Sequence, residues 1–157
     1  MKKKAIVSIA GVLGIAFFAN RINRHTKELE RLTGLVIKNE KLMLLMAQWL
    51  EIKRKNKRLE PYFGKNGFKT IAIYGMGHLG ECLYEELRDS ETVKVLYAID
   101  KDPVNITDLR IVSPDDDLCE VDAIVVTAVS YFEEIADMLW EKVDYPIVSL
   151  EDIIRSI

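Results

Sequence analysis

Residues 75–80 hold the residue types and spacing best suited to chemistry in this sequence. They read GMGHLG, a complete Gly-x-Gly-x-x-Gly pattern. An apolar run over residues 69–74 leads into them, and a helix-compatible segment over residues 81–88 follows. A second apolar run over residues 92–99 then ends in an acid, Asp100. Strand, glycine loop, helix, strand and terminal acid stand in the order and at the spacing of a loop that binds dinucleotide phosphates.

Each member of this pattern has a predicted role. Gly75 permits a tight turn, Gly77 lets the backbone approach a pyrophosphate without a Cβ, and Gly80 lets the helix pack close to the strand. The helix N-terminus offers N–H groups and the positive end of its dipole to the phosphates. Asp100 would accept hydrogen bonds from ribose hydroxyls and repel a 2′-phosphate, which favours NAD over NADP, although Lys101 beside it weakens that preference.

Three further strands are predicted over residues 109–112, 121–128 and 146–150, with an amphipathic helix over residues 131–142. Right-handed crossovers give the strand order 3-2-1-4-5, in which a cleft forms where strands 1 and 4 end. The sequence therefore predicts an α/β fold, a Rossmann-like doubly wound parallel five-stranded sheet preceded by a long N-terminal helical segment. The candidate ligand-binding residues are Gly75, Met76, Gly77, His78, Leu79, Gly80, Asp100, Lys101, Thr127, Ala128 and Val129.

Residues 113–117 are predicted to begin a helix between strands 3 and 4. Ser113 resembles a capping residue, and Pro114 suits the first helical position. The three aspartates that follow suit the positive end of a helix dipole, so they are interpreted as capping residues rather than metal ligands.

The cysteines and histidines argue mainly against a disulfide framework and against a metal site. Cys82 and Cys119 form no CxxC pair and are predicted to be reduced and half-buried. No Cys or His stands at ligand spacing from His25 or His78, so no metal site is predicted. His78 is interpreted either as an exposed side chain near the glycine loop or as a contact to a ligand phosphate or sugar.

Charge is divided unevenly along the chain. The 157 residues carry 22 Lys and Arg against 25 Asp and Glu, a net charge of −3. Residues 1–68 hold 15 basic and 5 acidic residues, whereas residues 69–157 hold 7 basic and 20 acidic residues. This contrast argues against one uniform domain and against an evenly cationic nucleic-acid-binding protein, so no nucleic-acid partner is predicted.

The first 25 residues are predicted to anchor the chain in a membrane. An uncharged apolar run, residues 5–19, lies between Lys2–Lys4 and the basic residues Arg21 and Arg24. The run is shorter than the roughly 20 residues that span a bilayer, but flanking Lys and Arg side chains can lengthen the span by snorkelling. A cleaved signal peptide and a buried core helix remain alternative interpretations. The basic excess favours a membrane-associated domain that faces the cytoplasm, where lipids are anionic.

Residues 26–60 are predicted to form an amphipathic connecting helix that Pro61 and Gly64 end, with the ligand-binding domain over residues 61–157. Alternating steps of three and four residues form a heptad seam that contains one Asn, as in a parallel coiled coil. Its members are Leu29, Leu32, Val36, Asn39, Met43, Met46 and Leu50. A wider apolar face follows residue 40, comprising Leu42, Leu45, Trp49 and Ile52. Docking on the following domain and self-association both remain open.

The segments IAIYGMGHLG, YAIDKDP and VDAIVVTA resemble the Rossmann module of bacterial polysaccharide-biosynthesis proteins. That family includes the nucleotide-binding parts of membrane-bound nucleoside-diphosphate-sugar epimerase/dehydratase-like proteins and of sugar acetyltransferases. The resemblance covers residues 69–157. It implies that Gly75, Gly77 and Gly80 bind dinucleotide or nucleotide-sugar phosphates, that Asp100 meets a ribose or base, and that the partner is glycosylation machinery.

Catalysis by this chain alone is not predicted. An epimerase or dehydratase needs a Tyr-x-x-x-Lys pair on a helix, and the one match, Tyr97 and Lys101, falls at the end of predicted strand 2. Nor does the sequence predict, after the fifth strand, the second half that would hold a nicotinamide or sugar. The preferred hypothesis is a membrane-associated, non-catalytic module that binds NAD, NADP or a nucleotide sugar. A second copy of the chain, in a homo-oligomer, is one candidate partner. The alternatives are a subunit of an NAD-dependent nucleotide-sugar-modifying enzyme that a partner completes, and a scaffold that binds no nucleotide.

Overall fold

A computed structural model describes residues 2–101 and 108–157, and within the first helix it describes the side chains of Phe18 and of residue 20 onward. The chain divides into two compact units, Met1–Lys41 and Leu42–Ile157. The first unit is the N-terminal part of helix α1, Lys2–Arg54. The apolar run predicted to be an anchor has most of its side chains outside the described residues. Among the described residues, no helix is long and apolar enough to cross a membrane.

The second unit is an α/β domain built on a five-stranded sheet whose paired strands all run parallel, in the order β3-β2-β1-β4-β5. The predicted fold class and strand order are therefore confirmed. Its strands are β1 Thr70–Tyr74, β2 Lys94–Ile99, β3 Ile111–Val112, β4 Ala123–Val126 and β5 Ile147–Ser149. Besides the end of α1, its helices are α2 Glu60–Asn66, α3 His78–Leu87, α4 Phe132–Trp140 and α5 Leu150–Arg155, with a 3-10 turn at Val129–Tyr131.

Side chains of the central strands are buried on both faces of the sheet, which explains why β4 is apolar throughout and why β1 holds large or apolar side chains after Thr70. Ile71 and Ile73 of β1 contribute to the core beneath α2, α3, α5 and the end of α1. Ala72 and Tyr74 alternate with them and contribute to the core beneath α4. The sheet therefore carries helices on both faces, as a doubly wound domain does.

The end of α1 docks on the domain, which is one of the two interpretations that the sequence left open. Leu45, Trp49 and Ile52 are buried in the core that also contains α3. The side chain of Glu86, only 2% exposed, accepts hydrogen bonds from Trp49 Nε1 at 2.8 Å and from the Leu59 backbone N–H at 2.7 Å. Lys53 Nζ lies 2.7 Å from the same carboxylate. One buried acid on α3 thus fixes both the last turns of α1 and the chain that follows it.

The prediction that Pro61 and Gly64 end the long helix was wrong. Helix α1 ends at Arg54, and Asn56 adopts a left-handed conformation with φ of 55°. The backbone N–H groups of Asn56 and the next residue donate to carbonyls of the last turn, the pattern of a helix terminated by a left-handed residue. Pro61 instead occupies the first turn of α2, where it sacrifices no helical hydrogen bond.

The predicted helix at residues 113–117 is also absent, because these residues form a turn. The hydrogen bonds of a capping box are nevertheless present. The Ser113 hydroxyl accepts from the Asp115 backbone N–H at 3.3 Å, and an Asp116 carboxylate oxygen accepts from the Ser113 N–H at 2.8 Å. No helical turn follows over residues 113–122, so these bonds close the loop itself. Short side chains that bond to nearby backbone stabilise turns as well as helix starts, and sequence alone does not separate the two.

A single carboxylate joins the starts of the two central strands. Asp122 precedes β4, and its Oδ2 accepts from the backbone N–H groups of Lys69 and Thr70 at 2.8 and 2.7 Å, and from the Thr70 hydroxyl at 3.0 Å. These hydrogen bonds, chiefly those from the backbone, hold the pKa of Asp122 below its ordinary value of 3.8. The charged form is therefore the one that the fold stabilises.

We expect Asp122→Asn to lower the free energy of unfolding more at pH 7 than at pH 3. Because the folded-state pKa is the lower one, the contribution of Asp122 is complete above the unfolded-state pKa of about 4 and is lost as the pH falls through the folded value. Urea unfolding of both proteins at the two pH values measures the difference. The exposed Asp137→Asn serves as the control, and an equal loss at both pH values would contradict this assignment.

Candidate functional site

The first glycine of the loop turns the chain directly after β1. Gly75 has a φ of +94°, which side chains rarely tolerate, and a Cβ there would lie 3.0 Å from Thr127 Oγ1. The Thr127 hydroxyl donates to the Gly75 carbonyl at 2.5 Å. The end of β4 thus fixes the turn that follows β1. Thr127 occupies the space that a side chain at position 75 would need.

The other two glycines are required for different reasons. A Cβ on Gly80 would overlap the backbone carbonyl of Gly75, so α3 packs against the loop at a distance that only glycine permits. A Cβ on Gly77 would meet no atom within 4 Å, and its φ of −71° suits any residue. Nothing in the fold of the described residues demands glycine at position 77. The open space beside it leaves room for a ligand to approach the backbone.

Asp100 holds the glycine loop in place. It follows the last residue of β2, and its Oδ2 accepts from the backbone N–H of Met76 at 2.6 Å. The carboxylate therefore lies beside the glycine loop at the carboxyl edge of the sheet. This is the edge at which parallel α/β domains bind their ligands.

A cavity of about 290 Å³ lies at the N-terminus of α3, where no side chain caps the helix. Backbone N–H groups at such an uncapped end attract anions. The cavity is lined by Leu42, Gly75, Gly77, His78, Leu79, Thr127, Ala128, Val129, Ser130 and Tyr131. The His78 side chain is 99% exposed and its Nδ1 lies 3.9 Å from a Glu81 carboxylate oxygen, so it stands at the rim of this cavity.

A second cavity, of about 450 Å³, adjoins the first and shares four of its lining residues, including Gly75 and Gly77. It is lined by Tyr74, Gly75, Gly77, Asp100, Lys101, Ala128, Tyr131, Glu134, Ile135 and Met138. Two carboxylates and one ammonium group face it, together with the apolar side chains of α4. A group rich in hydroxyls suits these walls better than a phosphate, because the carboxylates accept hydrogen bonds and repel anions.

Tyr74 lines the larger cavity and carries a buried, unsatisfied hydroxyl. The residue is 4% exposed, and its hydroxyl has no hydrogen-bond partner among the residues that the structure describes. Burial, with a smaller contribution from the negative charges of Asp100 and Asp115, raises the pKa of Tyr74 above its ordinary value of 10.0. The phenol is therefore a neutral donor. Leaving such a group unpaired costs about 1–3 kcal/mol, so a polar group of a ligand would stabilise it.

Sequence comparison adds no relative: no protein-family model matches the chain, and no curated protein matches it. What the cleft binds is therefore inferred from its own residues and cavities.

Nine of the eleven sequence-predicted ligand-binding residues line one or both cavities. The exceptions are Met76, whose side chain is buried in the core and which contributes its backbone N–H to Asp100, and Gly80, which contacts the glycine loop. Val129, although it borders the smaller cavity, is 6% exposed and packs in the same core as Met76. The loop after β4 thus both lines the smaller cavity and contributes a side chain to the core.

Sequence reasoning missed the contributions of β1 and α4. Tyr74 was interpreted only as a strand residue, and Tyr131, Glu134, Ile135 and Met138 only as parts of an amphipathic helix. Tyr131, Glu134, Ile135 and Met138 are spaced three or four residues apart. This spacing places them on one side of the chain that follows β4, so the sequence did indicate that they share a face. The cysteine prediction needs one correction: Cys82 and Cys119 are free thiols, but both are exposed rather than half-buried.

The Tyr97 and Lys101 pair has no catalytic geometry. Tyr97 lies within β2, is 4% exposed, and donates its hydroxyl to the Cys119 carbonyl at 2.6 Å. Burial first, and then the neighbouring Tyr145 hydroxyl, raises the pKa of Tyr97. Its phenol is thus committed to a structural hydrogen bond at neutral pH.

Proposed function

We propose that the domain binds a nucleotide with a diphosphate group, NAD in preference to NADP, or a nucleotide sugar. The phosphates would occupy the smaller cavity at the uncapped N-terminus of α3, where Gly77 leaves the backbone open. The ribose and base would occupy the larger cavity, with the ribose hydroxyls at Asp100. The observation that carries this proposal is the pair of adjoining cavities around one glycine loop, since a dinucleotide needs an anion site and a hydroxyl site side by side.

We propose that the module holds or senses this nucleotide at the cytoplasmic face of a membrane, without catalysis of its own, as part of a surface-polysaccharide or glycosylation assembly. The support for the membrane is the uncharged run of residues 5–19 between basic flanks. Fractionation of the full-length protein tests this part separately. A wholly soluble protein with an intact N-terminus would reject the anchor and leave the nucleotide site unaffected.

The nucleotide site is tested by two variants whose effects on stability and affinity differ. Tyr74→Phe removes only the unpaired hydroxyl, so we expect the empty protein to become slightly more stable while its affinity for NAD falls by about 5- to 10-fold, as for one lost hydrogen bond. Asp100→Ala should weaken binding further, by about 10- to 100-fold, because it removes a charged acceptor of ribose hydroxyls and also the acceptor of the Met76 N–H. Unlike Tyr74→Phe, it should also make the empty protein less stable.

The measurement is calorimetric titration and thermal shift of the full-length protein with NAD, NADP, UDP-glucose and coenzyme A. Asp117→Ala removes the same charge from an exposed turn residue that lines neither cavity and is the control. Binding that is unchanged in both cleft variants would place the ligand elsewhere. A complete lack of response to all four compounds would favour a scaffold that binds no nucleotide.

A further inference from the structure

Helix α1 carries large apolar side chains that no other described part of the chain covers. Six of them are 43–72% exposed: Leu29, Leu32, Val36, Met43, Met46 and Leu50. The first three belong to the first unit and the last three to the second. Exposed apolar residues scattered singly need no explanation, but a regular series does.

These six residues, with Asn39 among them, follow one another at alternating steps of three and four, which is three heptads without interruption. We call them the seam. The side chains by which α1 docks on its own domain, Leu45, Trp49 and Ile52, stand at other heptad positions and are buried. Docking of the domain therefore leaves each apolar seam residue at least 43% exposed, although Met46 and Leu50 also border a cavity beside α3.

We propose that the seam pairs with the seam of a second copy of this chain in a parallel, in-register coiled coil over residues 29–50. Asn39 favours this partner, because in that arrangement it faces its own copy and can form a hydrogen bond. In a shifted register it would be buried against an apolar side chain. The six apolar residues expose on the order of 700 Å² per helix, so a pair would bury about 1,400 Å², the area of a stable specific interface.

The polar residue inside the seam argues against a lipid surface as its partner. Helices that lie on membranes present an uninterrupted apolar face to the lipid. In residues 29–41 Asn39 interrupts the seam, the charged Glu40 beside it is exposed, and the exposed apolar residues Leu35 and Ile37 stand outside the seam. A heptad stripe with a polar residue inside it suits a second helix.

Disulfide cross-linking of the full-length protein tests both the partner and its direction. With Cys82 and Cys119 replaced by Ser, a single Cys is introduced as Leu29→Cys or Leu50→Cys at the two ends of the seam, or as Lys41→Cys outside it. A disulfide needs Cα atoms about 4.4–6.8 Å apart, which only facing seam positions satisfy. We expect each seam variant to cross-link at least about tenfold more than Lys41→Cys, because pairing raises the effective thiol concentration.

Three results would overturn the proposal. Equal cross-linking of all three variants indicates random collision, and no cross-linking of any indicates a monomer. Cross-linking between Leu29→Cys and Leu50→Cys chains in a mixed sample, without cross-linking of either alone, indicates an antiparallel pair. Each variant keeps the cleft intact. Nucleotide binding by the same samples therefore tests the proposed function separately from the pairing of the chains.

Discussion

Substitution of Gly80 by alanine is expected to lower the free energy of unfolding by about 2 kcal/mol or more and to abolish nucleotide binding. The added Cβ would overlap the carbonyl oxygen of Gly75 and lie 3.0 Å from its carbonyl carbon. Both are backbone atoms in a turn that Thr127 holds from the other side, so neither can move aside cheaply. Alanine would otherwise favour the helix by about 1 kcal/mol, and the overlap must exceed that gain.

Gly77→Ala is the control for this prediction, because it makes the same chemical change three residues earlier. Its Cβ would meet nothing within 4 Å, and its φ of −71° is acceptable for alanine, so we expect stability to change by less than about 0.5 kcal/mol. NAD affinity should nevertheless fall, since the methyl group would occupy the space that the pyrophosphate needs. Urea unfolding followed by circular dichroism, and calorimetric titration, measure the two effects.

The two glycine variants together separate fold from function. If Gly80→Ala is as stable as the parent protein, then α3 does not pack on the glycine loop as closely as described, and a Cβ at position 80 has room. If Gly77→Ala binds NAD normally, the phosphates do not lie on this loop, although the packing role of Gly80 stands.

Replacement of Glu86 by alanine is expected to reduce the free energy of unfolding by about 3 kcal/mol. The loss leaves the buried Trp49 indole N–H and the Leu59 backbone N–H without an acceptor, and it removes the partner of Lys53. Lys53 is 44% exposed and can return to water, so the two N–H groups account for most of the cost. Glu86→Gln keeps one acceptor oxygen and should lose about half as much.

Glu85→Ala is the neighbouring control on α3. Its side chain is 58% exposed, and its one ion pair among the described residues is with the exposed Arg88 at 3.3 Å, a surface pair worth at most about 1 kcal/mol. Urea unfolding of the three variants should therefore rank Glu86→Ala below Glu86→Gln and both below Glu85→Ala. Equal stabilities for the two alanine variants would show that Glu86 does not fix the end of α1.

Much of the fold was predictable because its signals are local. The strand β1, the glycine loop and the start of α3 follow one another within residues 69–88, and each has a composition that few other structures tolerate. The sheet order followed from the handedness of crossovers, which is a general property of parallel sheets. The errors at residues 61 and 113 arose because Pro, Ser and Asp stabilise helix starts and turns alike, and neighbouring packing selects between them.

Local patterns alone predicted that a glycine loop follows a buried strand and that an acid ends the next strand. The assembled fold was needed to show that Asp100 accepts from Met76, that Tyr74 has no partner in the described part of the chain, and that Glu86 bonds to Trp49. Helical spacing from Leu83 places Glu86 on the buried face of α3, but Trp49 stands 37 residues away and nothing local identifies it as the partner. The partner of a buried polar group is set by which elements meet in space, whereas strand and loop patterns are set by their own side chains.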